Sequence, residues 1–304
     1  MSANIATRDA YGKALVDLGR QNRDIVVLDA DLSTSTKTAL FAKEFPDRFF
    51  NMGIAEQNLM GTAAGLAASG KIPFASTFAI FATGRAFEPI RNAIAYPKLN
   101  VKIAATHAGL TVGEDGASHQ CLEDIAVMRA VPNMTIMCPA DGVETEAVVR
   151  AAAAYKGPVY IRLGRAKVPM VYSEESCSFE WGKGITLREG SDVTIIATGI
   201  MVSMALEAAE DLMSGGISAR VIDMHTIKPI DRELIVKAAL ETGAVVTAEE
   251  HSVIGGLGSA VAEVLGETVP VPVIRVGVED TFGESGTAEE LLIKYGLTPG
   301  CIMQ

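Results

Sequence analysis

A chain of 304 residues, 49% hydrophobic and 21% charged, is long enough for about two domains. It is also too apolar to stay disordered, because it buries enough surface to offset its ordering entropy. The net charge of −11 argues against a nucleic-acid partner, since an acidic surface repels a phosphate backbone; an anionic ligand must then be held locally by a few Arg, His or backbone N–H groups. Four cysteines (Cys121, Cys138, Cys177, Cys301) form no CxxC pair and have no histidine at zinc spacing, which points to reduced thiols. The first fifteen residues, MSANIATRDAYGKAL, contain no apolar signal core. No run approaches the roughly 18 apolar residues of a membrane span. A cytoplasmic protein without a membrane partner is expected.

In chain order, Thr7 is placed to cap a helix running through Arg20, with Ala10, Ala14, Leu15 and Leu18 on one face. IVVL at 25–28 reads as a buried strand ending at Asp29, and a small-residue helix follows over 55–69. Apolar runs at 72–76, 101–106, 134–137 and 158–161 alternate with helical patterns at 85–95, 122–130 and 143–155. Apolar strands without polar alternation imply a mostly parallel sheet covered on both faces, an α/β fold. The rhythm breaks in the polar stretch 172–192, where a linker is placed at 176–192. A second α/β series follows, with strands at 193–198, 219–224, 244–249 and 271–276 and helices near 201–213, from Asp231 and after Gly258. The expected domains are therefore 1–175 and 193–304.

Ligands of open parallel sheets sit at the carboxyl ends of strands. The residues just after the first-domain strands are unusually polar: Asp29, Asp31, Ser33 and Ser35; Asn51 leading to Glu56; Ser76, Thr77 and Phe78; Thr106 and His107 running to Asp115 and His119; Arg162 and Arg165. Glu56 reads either as a first-turn residue interacting with the helix dipole or as a buried general acid–base flanked by Met52, Ile54, Leu59 and Met60. Spacing alone leaves the two even. Arg162 reads equally as a partner for a carboxylate at the domain boundary. The GGLG turn at 255–258 invites a phosphate reading but is better taken as a tight strand-to-helix connection. Glu249, Glu250 and His251 receive no role.

The segments ADLSTST (30–36), NMGIAEQNLMGTAAGLA (51–67), FASTFAIF (74–81), THAGLTVGEDGASHQ (106–120) and YIRLGRAKVP (160–169) resemble, in order and spacing, the pyrimidine-binding domain of transketolase. VIDMHTIKPID (221–231) and VVTAEEHSVIGGLGSAVAEVL (245–265) resemble that family's C-terminal domain. Full-length members begin with a pyrophosphate-binding domain carrying GDG and a downstream Asn, and no GDG occurs here. The chain therefore resembles the C-terminal half of a split transketolase. A separate N-terminal subunit would hold the diphosphate and Mg²⁺ or another divalent ion.

The resemblance implies two-carbon ketol transfer between phosphosugars with thiamine diphosphate, as in the pentose phosphate pathway. Glu56 matches the glutamate that hydrogen-bonds the aminopyrimidine N1′. Phe78 and Phe81 match the aromatic pair packed against that ring, although plain core packing is the alternative. Gly84 stands where transketolases often have a tyrosine. Asp31 and Ile54 fall among the cofactor-binding positions. Asp115 and His119 match the residues that bind donor hydroxyls, with His119 also catalytic. Ser35, His107 and Arg165 match the sugar-phosphate site. Because active sites of this family lie between subunits, the chain is expected to pair with itself and with its partner as α2β2. Three alternatives remain at this point. They are a 1-deoxy-xylulose-5-phosphate synthase fragment, the β subunit of a 2-oxo acid dehydrogenase E1, and an inactive scaffold or regulatory paralogue.

Overall fold

The computed structural model describes residues 4–304 apart from position 174. Eight strands lie in the first half: β1 (Ile5–Ala6), β2 (Ile25–Asp29), β3 (Phe49–Asn51), β4 (Ile72–Phe78), β5 (Lys102–Thr106), β6 (Thr135–Met137), β7 (Val159–Arg162) and β8 (Lys167–Val168). Six pair in parallel in the spatial order β6-β7-β5-β4-β2-β3. Every residue of β2, β5 and β7 is buried, as a sheet covered on both faces requires. From β2 the chain crosses outward to β3 and then back past β2 to β4. That reversal opens a crevice at the carboxyl ends of β2 and β4.

The second half contributes β9 (Ile185–Arg188), β10 (Val193–Ala197), β11 (Ala219–Asp223), β12 (Thr226–Lys228), β13 (Val245–Ser252) and β14 (Val273–Val278). Five of them form a sheet in the order β14-β13-β10-β11-β9, parallel except for β9. The two-unit, mostly parallel α/β architecture expected from the apolar runs is present. β12 leaves its own unit and pairs antiparallel with β6, making the first sheet seven-stranded and covering an edge that would otherwise offer unpaired backbone groups.

Three local expectations differ from the structure. β9 lies inside the stretch read as linker, because a half-buried edge strand carries polar residues and leaves no apolar run. Thr7 begins its helix, Thr7–Gln21, without capping it; its hydroxyl instead accepts the Gly164 N–H at 2.8 Å, beside the point where β1 pairs with β8. The helix expected over 85–95 is broken into Phe81–Arg85, Phe87–Pro89 and Ile90–Ala95, with wide π-type turns at either end. Pro89 lacks the N–H that a regular helix interior needs.

The units are joined by a buried carboxyl cluster. Asp141 caps the helix Gly142–Ala154, and its Oδ2 accepts the N–H groups of Val171 and Tyr172, both at 2.8 Å. Tyr172 donates its hydroxyl to Asp223 Oδ2 at 2.7 Å, at the end of β11. The remaining Asp223 oxygen faces Glu144, and both carboxyls are fully buried. Burial pushes Glu144 well above the usual carboxylate range, with the nearby Asp223 adding to the shift, and burial pushes Asp223 up to about 7. Glu144 Oε1 and Asp223 Oδ1 have no other partner, and a proton retained by this raised pair would satisfy both. Folded-state values above the unfolded ones give stability that is full at acid pH and lost as pH rises through about 7. Asp223→Asn removes that titration, so urea unfolding is expected to show the variant gaining on the wild type between roughly pH 5 and pH 8. A difference that stays flat across that range means the two acids share no proton.

Candidate active site

At the end of β2, Asp29 is fully buried and organises the turn after it. Oδ1 accepts Leu32 N–H at 2.6 Å; Oδ2 accepts the hydroxyls of Thr36 at 2.6 Å and Thr38 at 2.9 Å. Burial raises its pKa against the pull of these three donors. Asp31 adopts a left-handed backbone, φ 64°, held by Asn51, whose Oδ1 accepts Asp31 N–H at 3.0 Å and whose Nδ2 donates to Asp31 Oδ1 at 2.9 Å. Ser35 follows in the short turn Ser33–Thr36.

Across the crevice, Glu56 opens the helix Glu56–Ala68 and is 5% exposed. Its Oε1 accepts Arg85 Nη1 at 3.1 Å. The same guanidinium lies over the Phe81 ring at 4.2 Å, and Phe81 stacks on Phe78 with centroids 5.7 Å apart and planes 16° apart. Phe78 in turn stacks on His107 at 3.8 Å. The His119 ring meets Phe81 edge-on at 5.5 Å. Five expected site residues, Glu56, Phe78, Phe81, His107 and His119, thus form one connected cluster, with Arg85 as its link to the carboxylate.

His107 also has a left-handed backbone, φ 58°. Burial, reinforced by Arg8 and Arg165, pushes its pKa down to about 3, so the imidazole is neutral. Nδ1 donates to Thr106 Oγ1 at 2.9 Å, and Nε2 accepts Arg8 Nη1 at 3.1 Å. Arg8 donates as well to the Ser35 carbonyl at 3.1 Å. Arg165 binds the Val112 carbonyl and, at 2.9 Å, Glu114. Arg8 thus joins Ser35 to His107, and Arg165 lies near enough to act on the charge of both Arg8 and His107. Asp31, Asp115 and Ile54 (78% exposed) stand at the surface of this chain instead of inside the cluster.

Arg8 and Arg85 went unnoticed in the sequence. Their partners lie 99 and 29 residues away, beyond any local spacing, and the one available signal was an arginine beside a called motif, Gly84–Arg85 after the two phenylalanines. Arg162 takes the boundary role: Nε binds Asp124 at 2.8 Å and Nη2 the Glu250 carbonyl at 2.9 Å. The GGLG turn is a connection, because Glu249 fills its amide cradle, accepting Leu257 N–H at 2.6 Å and Gly258 N–H at 2.8 Å.

Residues 3–170 match the family model for the transketolase pyrimidine binding domain, and residues 182–302 that for the transketolase C-terminal domain. The chain belongs to the transketolase family. It is 58% identical to a putative transketolase C-terminal section of Methanocaldococcus jannaschii, over 95% of this chain and 92% of that protein. A solved "split gene transketolase, inactive beta4 tetramer" superposes with a TM-score of 0.92 at 67% identity, covering 98% of this chain and 96% of that one. The transketolase of Mus musculus is 44% identical over 99% of this chain, which spans 48% of its length. These relatives do not favour the synthase, dehydrogenase-subunit or scaffold alternatives.

Membership of the transketolase family implies thiamine diphosphate and a divalent metal ion. The residues present fit the aminopyrimidine end. A planar cation, the Arg85 guanidinium, already sits on the Phe81 face while hydrogen-bonding Glu56, the two contacts a protonated aminopyrimidine would make there. Among the described residues, no group of three or more His, Cys, Asp or Glu is close enough to hold a metal.

The Asp29 knot is testable on the chain itself. Thr36→Val keeps shape but withdraws a hydroxyl from a buried carboxylate; urea unfolding is expected to show a loss of about 1–3 kcal/mol. Wild-type stability in that variant would mean the turn is held by other contacts.

Proposed function

We propose that this chain is the C-terminal subunit of a two-chain transketolase that moves two-carbon ketol units from a ketose phosphate to an aldose phosphate, as in pentose phosphate interconversion. When bound, thiamine diphosphate supplies the electron sink for breaking the carbon–carbon bond beside the ketose carbonyl. Glu56 hydrogen-bonds the aminopyrimidine N1′ from the first turn of its helix, and Phe78 and Phe81 form the face against which that ring stacks. Asp31 and Ile54 complete the cofactor surface at the crevice mouth. His119 and Asp115 bind the donor hydroxyls, and His119 holds a proton at its imidazole for the ketol oxygen. Arg8, Arg165, His107 and Ser35 receive the sugar phosphate. The observation that carries this reading is Arg85 bridging Glu56 and Phe81, because it marks a site for a flat, cationic, hydrogen-bonding ring within a chain of transketolase sequence.

The partner subunit is proposed to bring the diphosphate and metal site. In support, this chain spans about half of the Mus musculus transketolase. Self-association within an α2β2 complex is supported by the solved relative, which is a tetramer of one chain type and inactive in that form. Four free cysteines suit a cytoplasmic setting.

In the assembled complex given xylulose 5-phosphate and ribose 5-phosphate, Glu56→Ala is expected to lower kcat by about 10²–10⁴-fold without loss of circular-dichroism signal, since it removes a ring contact and not core volume. Near-normal turnover would overturn the role of Glu56. Absence of sedoheptulose product with turnover of pyruvate would overturn the reaction. Arg8→Ala should raise KM for the phosphorylated donor roughly tenfold or more, the scale of one charge-assisted hydrogen bond, and leave KM for an unphosphorylated ketose nearly unchanged. Equal effects on both donors would place Arg8 outside the phosphate site.

A further inference from the structure

The loop from Gly109 to Gln120 carries both proposed hydroxyl-binding residues, yet its footing lies in the other domain. Gly109 (φ +84°), Gly113 (φ +82°) and Gly116 (φ +72°) are all left-handed, so the loop has little rigidity of its own. Gly109 N–H reaches the Cys121 carbonyl at 2.9 Å. Beneath it comes Glu250, buried in β13 of the second domain, whose Oε1 accepts the Thr111 N–H at 2.6 Å. A Cβ at position 109 would lie 2.3 Å from the Glu250 carboxyl carbon, so the carboxylate fills the space that the glycine leaves. Gln120 Nε2 secures the far end, donating to the Glu284 carbonyl of the second domain at 2.9 Å. Glu250 is itself pinned, because its carbonyl accepts Arg162 Nη2 at 2.9 Å and Arg162 is locked to Asp124.

We infer that Glu250 is a positioning residue for the donor sugar: by accepting the Thr111 N–H and packing under Gly109, its carboxylate sets where Asp115 and His119 stand. This rests on the proposed role of those two residues. It assigns a task in the reaction to the C-terminal domain, whose helix Ala288–Lys294 also packs against the segment Leu110–Asp115. The physical reason is that a buried carboxylate satisfies a backbone N–H with a charge-assisted bond, whereas an unfilled pocket there would leave that N–H unpaired and the three-glycine loop free to shift.

Two variants in the assembled complex separate positioning from bulk. E250L keeps the volume and removes the acceptor; E250Q keeps an acceptor oxygen. For E250L, kcat/KM for the ketose phosphate is expected to fall about tenfold or more, the scale of one lost hydrogen bond to a charged group. Amide hydrogen exchange over 109–116 should accelerate by a similar factor. Exchange in the helix Glu56–Ala68 and the dissociation constant for thiamine diphosphate should stay within about twofold, and E250Q, which keeps the acceptor oxygen without its charge, should lie closer to the wild type than to E250L on all readouts. Unchanged exchange over 109–116 in E250L would overturn the inference. So would an equal rise in the Glu56 helix with loss of cofactor affinity, or an E250Q that behaves like E250L. If the wild-type complex does not process phosphoketoses, the proposed function fails instead, and the exchange measurement still decides whether Glu250 holds the loop.

Discussion

The reversal of strand order between β2 and β4 is the constraint on which the site depends. Strands that leave a parallel sheet on opposite sides of one point must part at their carboxyl ends, and here the gap is bounded by the turn after β2, the Glu56 helix after β3 and the aromatic segment after β4. Asp29 converts that gap into a defined shape. Its carboxylate gathers one N–H and two hydroxyls within 2.9 Å, so the segment carrying Asp31 and Ser35 folds back as a fixed turn. Buried carboxylates are costly unless so satisfied, and the cost is offset by three bonds converging on one residue.

An acidic chain that is to hold an anion must build its positive charge locally, and this one does so with few groups. Burial and the nearby Arg165 both lower the pKa of Arg8, and burial, reinforced by the two arginines, keeps His107 neutral with its pKa down to about 3. Like charges are thereby brought together in partly buried surroundings. Glu114 relieves Arg165 from the solvent side, and Arg8 spends its donors on Ser35 and His107. The phosphate proposed to bind there would replace the neutral acceptors of Arg8 by charged ones.

How much of this was legible in the sequence follows from the range over which each signal acts. Buried parallel strands announce themselves locally as apolar runs, and β2, β4, β5, β6 and β7 of the first sheet fall on or beside the runs that predicted them, whereas the short, mostly exposed edge strand β3 left no such run. Motif order brought Glu56, Phe78, Phe81, His107 and His119 to one crevice before any coordinates. Edge strands were silent: β9 and β12 are short and partly polar, and their identity as strands comes from a partner elsewhere. Long-range polar contacts were silent too. Nothing around Arg8 points to His107, and nothing around Glu250 points to Thr111, 139 residues away. The Thr7 hydroxyl could serve its own helix or Gly164, and only tertiary packing chose the second.

Two of the arginine–carboxylate pairs of the first domain, Arg162–Asp124 and Arg85–Glu56, show the difference between a bond that holds a fold and one that can be exchanged. Arg162 and Asp124 are 6% and 0% exposed, and Asp124 also accepts the Tyr160 hydroxyl at 2.7 Å; removing either partner of such a pair strands a charge in the interior and costs about 3–5 kcal/mol. Arg85 and Glu56 are 55% and 5% exposed. The arginine returns to water at little cost, and a pair with one solvated partner contributes about 0–1 kcal/mol. Glu56 is therefore kept satisfied and correctly aimed by a partner that yields easily, which is the condition a proposed ring-binding carboxylate must meet. A tighter native ion pair at position 56 would compete with its ligand, and a bare carboxylate would have to bear its desolvation alone. Between those limits, an exposed guanidinium stacked on Phe81 occupies the contact without holding it tightly, which suits the ring proposed to bind there.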